Sequence, residues 1–160
     1  MTAVTTRLTI HAIDPAVLAG LRAAGTDGHG NDIAPFAATG DGEPLRCCLR
    51  FAAAGERIAL ISYAPFEAAS PWREVGPVYV HADDCGGYRT TAELPQELRS
   101  GPRVLRTYRS DRTMNYEHNT LVDQGADLEV TIRRLLDEPD VAIVHVRTVL
   151  PQCFLYAVTA

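Results

Sequence analysis

Apolar and polar positions alternate in several short stretches of this chain, and a period of two sends successive side chains to opposite faces of a strand. Residues 6–13 show it first, with Leu8, Ile10 and Ala12 set against Arg7, Thr9 and His11. Asp14 and Pro15 follow as an N-cap and a proline at the first helical position, and Val17, Leu18 and Leu21 form an apolar stripe that stops at Gly25. Residues 26–44, rich in Gly, Asp, Asn and Thr, lack periodicity and predict a long loop. Strands are expected over 45–52 and 57–63, joined as a hairpin through Ala54-Gly55-Glu56. A proline-bearing loop over 65–77 leads to a strand over 78–82. One helical turn near 95–99, a strand over 104–108 and a more polar one over 114–121 come next. Leu128, Ile132, Leu135 and Leu136 recur on one face of a helix over 126–137 that Glu138-Pro139 ends. Two β-runs, 141–149 and 153–158, close the chain as a hairpin through Leu150-Pro151-Gln152.

Strands outnumber helices, and helical crossovers are too few for a doubly wound parallel sheet. The pattern therefore predicts an α+β domain: a mostly antiparallel β-sheet with two main helices, 14–24 and 126–137, packed on one face. At 160 residues, one domain spanning 1–160 is expected.

Charge changes the picture more than bulk composition does. All fifteen basic residues are Arg, and twenty acidic residues leave a formal charge of -5. A surface that grips a nucleic-acid backbone needs a concentrated positive field, so no nucleic-acid partner is expected. No apolar run reaches the length of a membrane span, and residues 1–13 lack a basic stretch followed by an apolar one, which points to a cytoplasmic protein without a membrane partner. In that compartment Cys47, Cys48, Cys85 and Cys153 are thiols or ligands rather than disulfides.

Strand alternation selects the candidate chemistry. His145 and Arg147 share one face of their strand against Val144 and Val146, Tyr79 and His81 oppose Val78 and Val80, and Cys48 and Arg50 oppose Cys47 and Leu49. Arg106 and Tyr108 share a face of a further strand. If these faces meet, Arg50, Tyr79, His81, Arg106, His145 and Arg147 line a pocket for a small anionic ligand. Guanidinium forks match paired oxygens, and imidazole adds a donor or moves a proton. The bland alternative is a solvated polar face on an antiparallel sheet.

Catalysis stays open. The candidates are Cys48 or Cys85 as a thiolate nucleophile beside His81 or His145, and no nucleophile-elbow, zincin, Walker or dinucleotide motif appears. His81 and Cys85 have a spacing that one metal ion could bridge, with Cys48, His145 and Cys153 as completions. Without paired CxxC spacing, however, neither a stoichiometric zinc nor another cofactor is expected. The rival function is a non-catalytic interaction module, working as a homodimer or with a protein partner through a flat apolar patch near Trp72.

The segments Leu45-Arg46-Cys47-Cys48-Leu49-Arg50, Gly76-Pro77-Val78-Tyr79-Val80-His81-Ala82 with Cys85, and Val144-His145-Val146-Arg147 with Cys153-Phe154-Leu155-Tyr156 carry a resemblance. In combination they resemble the bacterial family known as domain of unknown function 1203, over nearly all of the chain from Leu45 onward. The family's first motif often reads Cys-Arg-His-Cys-Leu-Arg, so Cys47 stands where a histidine is common. The resemblance implies a single-domain unit and brings no reaction, cofactor or partner.

Overall fold

Asp14 begins the first helix as its residue types require. In the computed structural model, which describes residues 6–160, its carboxylate accepts the amide of Ala16 at 2.8 Å. Pro15–Ala24 (α1) then runs to Gly25, whose left-handed φ of 73° closes the helix while its amide bonds the Leu21 carbonyl. Residues 1–5, part of the stretch read for a leader, lie outside the described residues.

The α+β class and the mostly antiparallel pairing hold, with 29% of residues in strands and 14% in helices. The strands divide between two five-stranded sheets. The first comprises Thr9–His11 (β1), Phe154–Thr159 (β10), Ile143–Arg147 (β9), Arg103–Tyr108 (β7) and Thr120–Val122 (β8), in that spatial order and antiparallel throughout. The second comprises Phe36–Ala37 (β2), Arg57–Tyr63 (β5), Gly76–His81 (β6), Pro44–Leu45 (β3) and Arg50–Phe51 (β4), in which β3 lies parallel to β6. The chain leaves the second sheet at His81 and reaches the first at Arg103 through a Gly-, Asp- and Pro-bearing segment without strand alternation.

Each sheet has its own core and its own helix. Leu128–Leu136 (α2), capped by Asp127, buries Leu128, Ile132, Leu135 and Leu136 with Val144 and Val146 of β9. Leu18 of α1 packs with Ile58, Ala59, Ile61, Val78 and Val80 of the second sheet. The helices are thus shared out, one to each core, rather than stacked together on one face.

Two sequence expectations change in ways that matter for chemistry. The strand expected over 45–52 breaks after Leu45: residues 46–49 form a turn in which the Leu49 amide donates to the Leu45 carbonyl at 2.9 Å. The expected hairpin of 45–52 with 57–63 is absent, because β4 pairs with β3 while β5 pairs with β2 and β6. Leu49 adopts a left-handed φ of 59°, which costs a branched residue about 1–2 kcal/mol. Its side chain is 2% exposed in the α2-side core, and burial worth roughly 1.5–3 kcal/mol offsets that strain. Cys47, two residues earlier, sinks instead into the α1-side core. The turn therefore joins the two cores. Arg46 adds a second clip, its Nε donating to the Phe154 carbonyl of β10 at 2.6 Å.

Candidate functional site

Two groups of chemically capable side chains result, one on each sheet. The first gathers around the turn. Because residues 46–49 are not extended, Cys47 and Cys48 are not thrown to opposite faces, and both thiols approach the end of β6. The Nδ1 of His81 lies 3.3 Å from Cys47 Sγ and 3.7 Å from Cys48 Sγ, and the two sulfurs are 3.9 Å apart. Cys85, on the loop after β6, completes a set of four ligand atoms within 4.8 Å of one another.

The far side of the His81 ring is also occupied. Its Nε2 lies 3.4 Å from Glu56 Oε1, and Arg50 holds the same carboxylate through two donors at 2.9 and 2.6 Å. The backbone amide of Ala53 donates to Glu56 as well, at 2.7 Å. The hydrogen bond between the neighbouring thiols, then burial, pushes Cys47 up, whereas the same bond draws Cys48 down against burial.

The second group follows from an unbroken ladder. Arg106 of β7 is the register partner of His145 on β9, and Val104 that of Arg147. With Val144 and Val146 committed to the α2-side core, His145 and Arg147 face the opposite way. Arg106 and Arg147 line a cleft of about 190 Å³ with Glu74, Gln152 and the aromatic rings of Tyr63 and Phe154. Both guanidinium groups reach Glu74, Arg147 at 3.0 Å and Arg106 in a shorter contact, while Arg106 also donates to Gln152 Oε1 at 3.0 Å. Burial pushes the Glu74 carboxyl up, but the hydrogen bond from Arg106 and the two positive charges outweigh it, and the net shift is downward.

His145 stands beside this cleft rather than in it. Its ring lies against Tyr108, Phe66 and Phe154 at centroid distances of 4.5, 4.8 and 5.0 Å, and its Nδ1 is buried without a partner. Burial first, then Arg147 and Arg106, push it well below the ordinary imidazole value, so it is neutral.

The single pocket expected from Arg50, Tyr79, His81, Arg106, His145 and Arg147 is thus split. Arg50 and His81 sit with the thiols on the second sheet, and Arg106 and Arg147 form the cleft on the first. Tyr79 lines a separate groove with Arg46 and Cys153. Among the weighed completions of a metal set, Cys48 joins His81 and Cys85, whereas His145 and Cys153 do not. Alternation had turned Cys47 away, yet it is the fourth member. Neither Glu56 nor Glu74 stands out by periodicity: Glu56 carries only the signal of an acid next to a turn glycine, and Glu74 carries none. Trp72 is half-buried and its indole donates to the Tyr116 hydroxyl at 2.8 Å, which makes it an anchor of the 65–77 loop.

Among the described residues no helix is long and apolar enough to cross a membrane. No curated protein and no solved structure matches the chain. A family model does match, over residues 42–160, a span that includes the turn thiols, His81, Cys85 and both arginines of the cleft. The chain accordingly belongs to the family described as a protein of unknown function, DUF1203.

Proposed function

We propose that the protein binds a small anionic molecule, carrying a carboxylate or phosphate group, in the cleft over Arg106 and Arg147. One observation carries this reading: two largely buried guanidinium groups, with side chains 17% and 7% exposed, face a single carboxylate. Glu74, Arg106 and Arg147 are the charged residues of the lining, so the cleft keeps one surplus positive charge. Burying like charges side by side is costly, and Arg147 is held below its ordinary value by burial and then by Arg106. A second anion relieves that cost. Paired guanidinium forks supply the directed donors that carboxylate and phosphate oxygens require, and the buried Nε of Arg147 still lacks an acceptor.

Isothermal titration with citrate and with inorganic phosphate tests the reading. Arg106→Gln should weaken binding at least tenfold, because a charge-assisted pair of hydrogen bonds is worth about 1.5–3 kcal/mol. Glu74→Gln should strengthen it. Arg147 is the poorer probe, since it also donates to the Gln152 carbonyl at 3.0 Å and its truncation disturbs the β9–β10 turn. Failure of both anions to bind, or binding indifferent to Arg106→Gln, would remove this function.

A further inference from the structure

We infer that Cys47, Cys48, His81 and Cys85 form a binding site for one Zn2+ ion, separate from the arginine cleft. The absence of CxxC spacing argued against a metal, but that rule concerns ligands carried by local knuckles. Here the turn over 46–49 brings two adjacent thiols to a histidine more than thirty residues away. The spacings suit the ion. A tetrahedral zinc with bonds of about 2.3 Å to sulfur and 2.0–2.1 Å to nitrogen has edges of about 3.8 Å between sulfurs and about 3.6 Å from sulfur to nitrogen. The corresponding distances are 3.9 Å for the two turn thiols, and 3.3 and 3.7 Å from them to His81 Nδ1. Cys85 lies close enough to supply the remaining vertex.

The surroundings favour a metal in two further ways. A ligating Nδ1 leaves the proton on Nε2, and that nitrogen meets Glu56 Oε1, which Arg50 and the Ala53 amide hold in place. An outer carboxylate that orients a ligating imidazole is the usual support of such a site. Cys47 Sγ also accepts the backbone amide of His81 at 3.2 Å, a bond that favours the thiolate. Three sulfurs and one nitrogen select a soft or borderline ion over magnesium or calcium. Four protein ligands leave no open position, so the ion is structural, tying the turn, the end of β6 and the loop at Cys85. Binding releases the protons of three thiols to solvent and takes His81 in its neutral form.

The competing arrangement has the same atoms without an ion: Arg50 donates to His81 Nε2, 3.3 Å away, and Nδ1–H donates to the Cys47 sulfur. Metal analysis of the full chain, purified under reducing conditions without chelator, separates the two. About one zinc per chain is expected, and replacement by Co2+ should give the visible bands of a tetrahedral thiolate site. Cys48→Ser or His81→Asn should lower zinc content at least tenfold, with Cys153→Ser and Arg106→Gln leaving it unchanged. The last variant keeps this inference distinct from the anion-binding reading, which fails or stands on its own titration. Should the ligand variants not fold, alkylation of the wild-type chain decides: zinc should slow labelling of Cys47, Cys48 and Cys85 at least tenfold and leave Cys153 unaffected. A reduced protein that takes up no zinc, gives no tetrahedral cobalt spectrum and labels equally with and without zinc would overturn the site. Full zinc retention by a folded Cys48→Ser would also overturn it.

Discussion

The two sheets reach their chemistry by opposite means. The first is a continuous antiparallel ladder in which cross-strand register places Arg106 beside His145 and brings Arg147 to the same face. The second is irregular: β2, β3 and β4 are two residues each, one pairing is parallel, and its three clustered thiols come from a turn and a loop to meet His81 at the end of β6. A regular ladder sets rigid guanidinium groups at fixed spacing. An interrupted one lets neighbouring side chains converge, which alternation forbids. The comparison teaches that thiols adjacent in sequence can act together only where the strand gives way.

The largest expected effect tests whether the two regions are energetically joined. Leu49 belongs to the irregular sheet's turn but packs in the regular sheet's core, and Leu49→Ala should cost roughly 3 kcal/mol. Urea unfolding followed by both fluorescence and circular dichroism should show this loss in one cooperative transition. Two separated transitions would mean that the cores are independent and the comparison is between two units, not two halves of one.

A smaller loss is expected at the other clip. Arg46 is 2% exposed, and its guanidinium bonds the carbonyls of Pro44 and Phe154. Arg46→Met keeps much of the packed stem but removes these charge-assisted bonds, at a cost of about 2 kcal/mol by the same denaturant measurement. An unchanged midpoint would assign the joining of the sheets to Leu49 and its neighbours alone.

The smallest effect belongs to the regular sheet and is one of pH. Burial, then Arg147 and Arg106, depress His145 below its ordinary value of 6.5. The unfolded chain therefore takes up the proton first. Stability from the neutral ring is fully present above that value and is lost as pH falls toward the folded one. The groups around it are Tyr108, Arg106 and Arg147, with His11 and Arg112 lining the adjoining cavity. His145→Phe, an aromatic ring among Phe66, Tyr108 and Phe154, should flatten the fall of stability as pH drops below about 6.5. A residual slope of the same sign belongs to His11, which burial also depresses. Thermal melts across this range that are as steep in the variant as in the wild type would exclude His145 as the source.

Legibility in the sequence follows the same division. Asp14-Pro15 and Gly25 bracket α1 as their cap chemistry demands, and the leucine stripe of α2 lies within the expected limits. Val144, Val146, His145 and Arg147 alternate as written because a central strand in a ladder has no freedom to do otherwise. The break after Leu45 was not legible, since a left-handed leucine has no local signature and is maintained only by its burial in a distant core. That break inverted the expected facing of Cys47. The division into two sheets was hidden for a related reason: alternation reports that a strand has two faces but not which strands pair. Glu74 was invisible because it meets its arginines through an irregular loop.

Glu74 gives the cleft a tethered competitor. Its half-exposed carboxylate sits on the loop before β6 and already reaches both guanidinium groups. A carboxylate tethered next to its partners competes at an effective concentration on the order of millimolar. If an anion binds as proposed and displaces Glu74 from the forks, it exchanges one carboxylate partner for another and its apparent affinity reflects only its advantage over the resident group. One that joins Glu74 also neutralises the surplus charge. A dianion or a ligand with further polar contacts gains where a simple carboxylate does not. Under the proposed anion binding, the loop carrying Glu74 would act as a selectivity filter, set by competition instead of by shape.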